Sequence, residues 1–332
     1  MAHGNGSSVP EGRIIDRMTV LGVISMLLFG TSFWGLVVAL EVIPPLTLGF
    51  LRALGVSVFM LTMIFFLGKV AGRKWMIGKD KIVLAGLKGK RGLVTVVCFA
   101  LFSTVLPNIL QNLGMTMMDP ASTSSLTALI QGVSPIFTIL LAVPFLGERL
   151  GPWKIAGLLV TVPATILLST YGSGGVDLGS RETVGALLNL LTALSYSVSG
   201  LILKSAMNRG ASPVHLVSVN AIYATPVLLL VALFAWVIGW EDPTRLLHAG
   251  TDIWLALFYT SICLYGVTPI IWYRVIRSGE LSRVGFFVFL LPVFSYMVGF
   301  LMLGDRLSLV QIMAGCALLA GVGISQIGRK RY

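Results

Sequence analysis

Apolar runs, each about as long as a helix that crosses a bilayer, follow one another through almost the whole sequence. A transmembrane helix needs about 20 mainly apolar residues. Ten such runs can be marked out, at residues 18–40, 46–67, 93–113, 122–145, 155–171, 184–203, 214–236, 253–276, 282–303 and 309–327. Several connections leave room only for a tight turn, for example residues 41–45 and 304–308. The sequence therefore predicts an all-α integral membrane protein with ten transmembrane helices.

The composition agrees with a membrane protein and excludes two other classes. Of the 332 residues, 56% are apolar and 11% are charged, and the mean hydropathy is +0.92. Soluble domains carry about 25% charged residues, and their surface cannot cover this much apolar side chain. The chain is therefore neither a soluble enzyme nor a disordered protein. The formal net charge of +11 needs its own explanation, because a basic balance indicates nucleic-acid binding, an anionic substrate or membrane orientation.

The positions of the basic residues decide between these explanations. If the amino terminus is cytoplasmic, 20 of the 24 Lys and Arg residues fall in cytoplasmic segments. Arg181, Arg245 and Arg306 fall outside, and Arg52 lies within the second apolar run. Because Lys and Arg resist translocation, this asymmetry predicts that both termini lie on the cytoplasmic side of the plasma membrane. The excess charge then reports orientation, and no nucleic-acid partner is expected.

One sequence block occurs twice and divides the chain into two halves. Residues 135–150 begin Pro-Ile-Phe-Thr and end Leu-Gly-Glu-Arg-Leu, and residues 292–307, 157 positions later, begin Pro-Val-Phe-Ser and end Leu-Gly-Asp-Arg-Leu. Residues 45–53 also match residues 213–221. Each half then holds five spans, and an odd number gives the two halves opposite orientations. Inverted repeats are typical of secondary transporters, whose substrate site lies between the halves.

The predicted organisation follows from that division. It consists of a cytoplasmic tail, a first repeat, an outside linker, a second repeat and a second cytoplasmic tail, at residues 1–17, 18–171, 172–182, 183–328 and 329–332.

The doubled block and the sequence Phe50-Leu-Arg52 resemble the drug/metabolite transporter superfamily, most closely its EamA family of ten-helix transporters. The resemblance implies export of small organic metabolites or amino acids by alternating access between two inverted five-helix repeats. Two positions depart from the family pattern. Asn220 stands where the second copy would repeat Arg52, and Asp305 stands where Glu is commoner.

Arg52 is the candidate site residue with the strongest physical argument. It lies about seven residues into the second span, where a charge is costly and marks a site hypothesis. Its guanidinium could hold a substrate carboxylate through two hydrogen bonds. It could also serve structurally, by reaching the outer interface or by pairing with Glu41. Loss of transport without loss of folding in Arg52→Ala would indicate the first role.

Polar side chains also lie inside the third and eighth spans. Asn108 and Gln111 follow Pro107, and the repeat aligns them with Tyr265 and Thr268. A proline frees a backbone carbonyl where helices line a cavity, and buried amides need partners. Aromatic side chains in the spans could complete an amphipathic wall. The predicted substrate-binding residues are Trp34, Arg52, Asn108, Gln111, Asn220, Tyr223, Tyr265 and Thr268.

The turn Gly147-Glu148-Arg149 allows two interpretations of its carboxylate. Glu148 either caps a helix turn with the neighbouring arginine answering its charge, or it is a coupling or gating group. The position at the end of a span favours the cap.

Catalytic and metal-binding motifs are absent from the sequence. No GxSxG, Walker or HExxH motif occurs, and the three histidines lie outside the span centres. We therefore expect no enzyme, no cofactor and no metal. The expected partners are a small-molecule substrate and the lipid bilayer, with a homodimer left open.

A sugar-phosphate or nucleotide-sugar exchanger of the same superfamily is the alternative function. It needs several basic side chains in the cavity, and Lys204, Arg274 and Arg277 are the candidates. A channel or an intramembrane enzyme is a more distant alternative.

Overall fold

All regular secondary structure in the described parts of the chain is helical. The computed structural model describes residues 17–70, 90–118, 123–170, 181–303 and 309–327, and no strand occurs within these ranges. The α-helices are α1 Arg17–Leu40, α2 Pro45–Val70, α3 Lys90–Ala100, α4 Leu106–Thr116, α5 Thr123–Gln131, α6 Ser134–Leu146, α7 Pro152–Thr170, α8 Arg181–Asn208, α9 Pro213–Val237, α10 Thr251–Phe258, α11 Thr268–Arg277, α12 Leu281–Gly285, α13 Leu290–Leu303 and α14 Leu309–Gln326. The all-α prediction is confirmed for these residues.

Eight helical stretches of the described residues are long and apolar enough to cross a membrane. They are Arg17–Leu40, Pro45–Phe66, Gly92–Thr116, Leu126–Leu146, Arg181–Asn208, Pro213–Val237, Thr251–Arg277 and Leu281–Val298. A shorter apolar helix covers Ile312–Ser325. The fifth predicted run, residues 155–171, falls largely on α7, which packs along α14.

Two of these stretches contain π-helical turns. Leu101–Val105 joins α3 to α4, and Tyr259–Val267 joins α10 to α11. A proline follows each turn closely, Pro107 in the first stretch and Pro269 in the second. Proline has no N–H to donate to the carbonyl four residues before it, and helices adjust to such gaps with wider turns. The two π-turns begin at positions that the sequence repeat nearly aligns.

Two other stretches are interrupted near their middle. The helix breaks between α5 and α6 at Gly132 and Val133, directly before Pro135, so no N–H of residue 135 reaches the carbonyl of Gln131. Between α12 and α13 the chain tightens into a 3₁₀ turn, Phe286–Phe289. A Cβ on Gly132 would lie 2.7 Å from Cγ of Pro292, so the two interrupted helices touch at this point.

A buried carboxylate and a partly buried ammonium stabilise two helix ends. The carboxylate of Glu241 accepts hydrogen bonds from the N–H groups of Leu46 and Thr47, at 2.7 and 2.9 Å, and from the Thr47 hydroxyl at 2.7 Å. These are unpaired donors at the start of α2, where the helix dipole favours an anion. The Lys204 ammonium donates to the carbonyls of Ile276, at 2.9 Å, and Gly279, at the end of α11. Distant segments of the chain are thereby joined by direct hydrogen bonds.

Glycines permit two close helix crossings. The backbones of Gly114 in α4 and Gly185 in α8 meet so closely that a Cβ on either would lie 2.6–2.8 Å from the other's carbonyl oxygen. In the second crossing, Gly157 of α7 faces Gly321 of α14, with carbonyl oxygens 3.0–3.2 Å from the ideal Cβ positions. Close approach at small residues is the usual means of helix association in a bilayer.

Several sequence-based predictions concern residues outside the described ranges. They are the two tails, most of the basic segment 68–92, most of the linker 172–182 and the second Gly-Asp-Arg turn, residues 304–306.

Candidate functional site

A cavity lies among the helices, with walls from both halves of the chain. Its volume is about 180 Å³, many times the roughly 10–15 Å³ that one water molecule needs by the same measure. Of the described helices, α1, α2, α4, α5, α6, α8, α9, α11 and α13 contribute side chains, together with both π-turns. The space therefore fits a small organic solute.

One wall of the cavity is polar and internally hydrogen-bonded. Ser103 Oγ donates to Oδ1 of Asn220 at 2.9 Å, and Nδ2 of Asn220 donates to Oγ1 of Thr104 at 2.8 Å. All three residues line the cavity and are buried. The π-turn carries Ser103 and Thr104, so the irregular backbone positions two hydroxyls against the amide of α9. π-turns of this kind are frequent at functional sites.

Arg52 lies behind the cavity wall. Its side chain is fully buried (0% exposed) and Nη1 donates to Oδ1 of Asn108 at 3.2 Å. The guanidinium carbon lies 4.0 Å from the ring centroid of Tyr265, a cation–π contact. Nε and Nη2 have no hydrogen-bond partner among the described residues. Arg52 therefore neither reaches an interface nor pairs with Glu41, and its charge is held beside the cavity.

Tyr265, whose ring contacts that charge, forms part of the cavity wall together with Tyr196. The hydroxyls of Tyr265 and Tyr196 are 3.0 Å apart, within hydrogen-bond distance, and both side chains line the cavity. Tyr265 is on the second π-turn and Tyr196 is on α8. Trp272 and Tyr273 of α11 add further aromatic surface to the same cavity. The wall thus combines apolar rings with hydroxyl groups.

Only some of the predicted site residues lie at the cavity. Gln111, Asn220 and Tyr265 line the cavity, and Arg52 and Asn108 lie directly behind them. Oγ1 of Thr268 donates to the carbonyl of Cys263 at 2.7 Å, which closes the π-turn rather than facing the cavity.

The predicted aromatic residues outside this group are Trp34 and Tyr223. Neither is among the residues that line the cavity. Trp34 is partly buried, and Tyr223 is 37% exposed on the outside of the bundle. A tryptophan or tyrosine in an apolar run gives no sign of which way its ring faces, so the sequence could not separate these two from Tyr265.

The sequence-based prediction missed Gln131, Ser134 and Tyr196, all of which line the cavity. A signal existed for Tyr196, since the segment Ser195-Tyr-Ser-Val-Ser199 surrounds it with three serines in an otherwise apolar span. Gln131 ends α5 at the helix break, is only 5% exposed, and its Nε2 lacks a partner among the described residues. A buried amide donor without a partner is costly, and a solute acceptor could satisfy it.

We expect Gln131→Leu to weaken transport while leaving thermal stability unchanged or slightly higher. Leucine has a similar volume and removes the unsatisfied amide, whose burial costs about 1–3 kcal/mol. Transport rates in proteoliposomes and melting temperature, measured on the same preparation, check this expectation. A fall in melting temperature with unchanged transport would show that the amide serves the fold and not the solute.

The alternative function, a sugar-phosphate or nucleotide-sugar exchanger, requires several basic side chains in the cavity. Lys204 is occupied by the backbone carbonyls at the end of α11, and Arg274 and Arg277 are exposed. None of the three is among the residues that line the cavity. Arg52, by contrast, contacts the ring of the lining residue Tyr265.

Glu148 acts as a cap, as the sequence favoured, but it caps a helix far along the chain, and Lys154 rather than the exposed Arg149 lies beside its charge. Its carboxylate accepts hydrogen bonds from the N–H groups of Leu281, at 2.6 Å, and Ser282, at 2.9 Å, and from the Ser282 hydroxyl. Lys154 lies 3.9 Å from Glu148 and 2.8 Å from Glu280, and also donates to the Ser282 hydroxyl at 2.6 Å. The start of α12 is therefore bound by charged groups from the end of α6 and the start of α7.

Comparison with known proteins identifies the chain's family. The model of the EamA-like transporter family matches residues 17–170 and again residues 183–326. The chain belongs to the EamA-like transporter family. It is a multi-pass membrane protein of that family, and the resemblance seen in the doubled block is confirmed.

Relatives of this EamA-like transporter agree with that assignment. An "Uncharacterized transporter" of Archaeoglobus fulgidus is 26% identical over 274 residues, which cover 79% of this chain and 88% of the relative. A "Probable amino-acid metabolite efflux pump" of Escherichia coli strain K12 is 24% identical over 313 residues, covering 93% and 94%. A crystal structure matches with a TM-score of 0.70 at 19% identity, covering 93% of this chain and 98% of that one, and shows the same fold.

Proposed function

We propose that this EamA-like transporter exports small organic metabolites or amino acids across the cytoplasmic membrane by alternating access. The observation that carries the proposal is the cavity between the two halves, with a polar wall at Asn220 and an aromatic wall at Tyr265. Small-molecule sites are typically concave and mostly apolar, with a few placed polar groups. The substrate and the lipid bilayer are the partners that this function needs.

We further propose that the chain has ten spans in two inverted halves, with both termini in the cytoplasm. Support comes from the two matches of the family model, at residues 17–170 and 183–326. Five spans per half give the halves opposite orientation, and a midplane site between inverted halves is a known plan of secondary transporters. The proposed boundaries of the halves remain residues 18–171 and 183–328, and the distribution of basic residues supports the orientation.

The substrate class is supported by the wall chemistry and by one relative. The E. coli relative bears the name of an amino-acid metabolite efflux pump. A phosphate or nucleotide-sugar substrate needs several cationic contacts, whereas the candidate cations Lys204, Arg274 and Arg277 do not line the cavity. A solute with both polar and apolar parts fits this lining better.

Flux measurements on the purified protein in proteoliposomes test the proposal. Radiolabelled amino acids inside the vesicles should leave by a slow, saturable route that unlabelled solute outside accelerates by exchange. A matched set of sugar phosphates and nucleotide sugars tests the alternative. Non-saturating conductance in a planar bilayer would indicate a channel, and the absence of saturable flux for every solute class would refute the proposed carrier.

A further inference from the structure

We infer that the hydroxyl pair of Tyr196 and Tyr265 is a subsite for an anionic group, such as the carboxylate of the transported solute, with Arg52 as the fixed countercharge behind it. The inference rests on the proposed carrier function and specifies how its substrate is held. It differs from direct recognition by arginine, because the groups that meet the solute are phenols.

Hydrogen-bond accounting leaves one donor in the tyrosine pair. Each phenol carries one proton and can both donate and accept. The two oxygens are 3.0 Å apart, so one hydroxyl donates to the other. That bond uses one proton, and the accepting tyrosine keeps its own proton for a further acceptor. Both side chains line the cavity, and a solute oxygen is the acceptor that the cavity can bring.

The charge beside this pair is positive and uncompensated. Arg52 is fully buried, and its guanidinium lies 4.0 Å from the ring centroid of Tyr265. Within the described ranges, the ion pairs join Lys154 and Arg283 to Glu148 and Glu280, and none includes Arg52. Nε and Nη2 also lack partners there. A buried cation without a counterion favours an anion nearby, because the interior screens charge weakly.

The position of Arg52 explains why a solute in the cavity would contact the tyrosines before the arginine. Tyr265 lines the cavity and stacks on the guanidinium, whereas Arg52 is not among the lining residues. A solute in the cavity therefore contacts the phenol before the cation. Asn108 holds the guanidinium from another direction through its bond to Nη1. Arg52 is in this scheme a positioning and electrostatic residue that acts through Tyr265.

Two sources could supply the anion, an organic carboxylate or a free inorganic anion. The shared chemistry is a single negative charge with a hydrogen-bond acceptor. The probes are therefore the twenty amino acids, acetate and benzoate, each amino acid being matched with its decarboxylated amine or its amide, together with sodium chloride compared with sodium gluconate. Binding is measured on the purified full-length protein by calorimetry and by the shift in melting temperature.

The variants separate the hydroxyls from the rest of the site. Tyr196→Phe and Tyr265→Phe keep the rings and remove one hydroxyl each, and each should weaken carboxylate binding about tenfold or more. Tyr259→Phe is the matched control, because the Tyr259 hydroxyl lies 2.6 Å from Oγ1 of Thr31 and the residue does not line the cavity. Arg52→Gln should abolish the preference for a carboxylate over its neutral counterpart, and Arg52→Lys should keep part of it.

The possible results divide clearly. Carboxylate binding that depends on both hydroxyls supports the subsite, and chloride binding with the same dependence supports it with an inorganic occupant. The inference is overturned if wild-type protein binds neither a carboxylate of the panel nor chloride, if amines or amides bind as well as the matching carboxylates, or if the two variants behave like Tyr259→Phe. Saturable flux of a neutral or cationic solute that ignores Arg52 would leave the carrier function intact and remove this subsite alone.

Discussion

Replacing Glu148 with alanine is expected to produce one of the two largest losses of stability in this protein. The carboxylate is 9% exposed and accepts three hydrogen bonds at the start of α12, two of them from backbone N–H groups. Removing one partner of a buried charged pair costs about 3–5 kcal/mol, because the remaining charge has lost its compensation. Here the remaining charge is Lys154, which is 1% exposed but keeps Glu280 at 2.8 Å, so the loss should lie toward the lower end of that range and come largely from the uncapped N–H groups.

Lys154 would keep only part of its environment in the Glu148→Ala variant. Glu280 still lies 2.8 Å away, and the Arg149 carbonyl still accepts a hydrogen bond at 3.0 Å. The N–H groups of Leu281 and Ser282 would have no such replacement, so the start of α12 should loosen. We expect a lower melting temperature in detergent and reduced transport in proteoliposomes. Glu148→Gln should fall between the variant and wild type, because its amide oxygen can accept but carries no charge.

The neighbouring arginine provides a matched control for Glu148. The Arg149 side chain is exposed, and Arg149→Ala leaves in place the backbone carbonyl that Lys154 uses. Its melting temperature should remain close to that of wild type. Equal losses in Arg149→Ala and Glu148→Ala would show that the turn, and not the buried carboxylate, sets the stability of this end of the molecule.

Replacing Gly185 with leucine is expected to prevent correct assembly of α4 against α8. Even a Cβ at residue 185 would lie 2.6 Å from the Gly114 carbonyl oxygen and 3.1 Å from the side chain of Met117. Overpacking costs about 1–3 kcal/mol where side chains can shift, but a backbone carbonyl has far less freedom to move. The loss should therefore reach or exceed the upper end of that range.

Size-exclusion chromatography and melting curves in detergent measure the effect. Gly185→Leu should give little monodisperse protein, and Gly185→Ala should fold with a lower melting temperature. Gly323 of α14 is the control, because nothing lies within 4 Å of its ideal Cβ position. Gly323→Ala should be neutral or slightly stabilising, since alanine favours helix. Normal assembly of Gly185→Leu would refute the close crossing.

The sequence predicted the helices well because their cause is local. A segment in hydrocarbon must satisfy its own backbone hydrogen bonds, so length and apolar content are enough to locate a span such as Pro213–Val237. The amides at Gln111 and Asn220 were also recognisable, since a polar side chain in an apolar run needs a partner. Both line the cavity.

Other parts of the site depend on how helices rotate against each other, which one sequence does not encode locally. Tyr196 and Tyr223 are each a tyrosine in an apolar span, yet one lines the cavity and the other is exposed. The position of Gln131 is determined by the helix break before Pro135. In the sequence, that proline was recognised only as part of the repeated block. The partners of Arg52 come from the third and eighth spans, so its environment appears only after packing.

The helix caps supplied by Glu148 and Glu241 have a consequence for the order in which the protein can fold during synthesis. The cap of α12 is supplied by Glu148, 133 positions earlier than Leu281, and the cap of α2 is supplied by Glu241, 195 positions later than Leu46. During synthesis α2 therefore lacks this cap until Glu241, in the second half, has been made, and Glu148 and Lys154 lack their α12 partners until Leu281 and Ser282 follow. Each half completes helix ends that belong to the other, so neither should mature as an independent unit, and the final structure closes only after the last spans arrive.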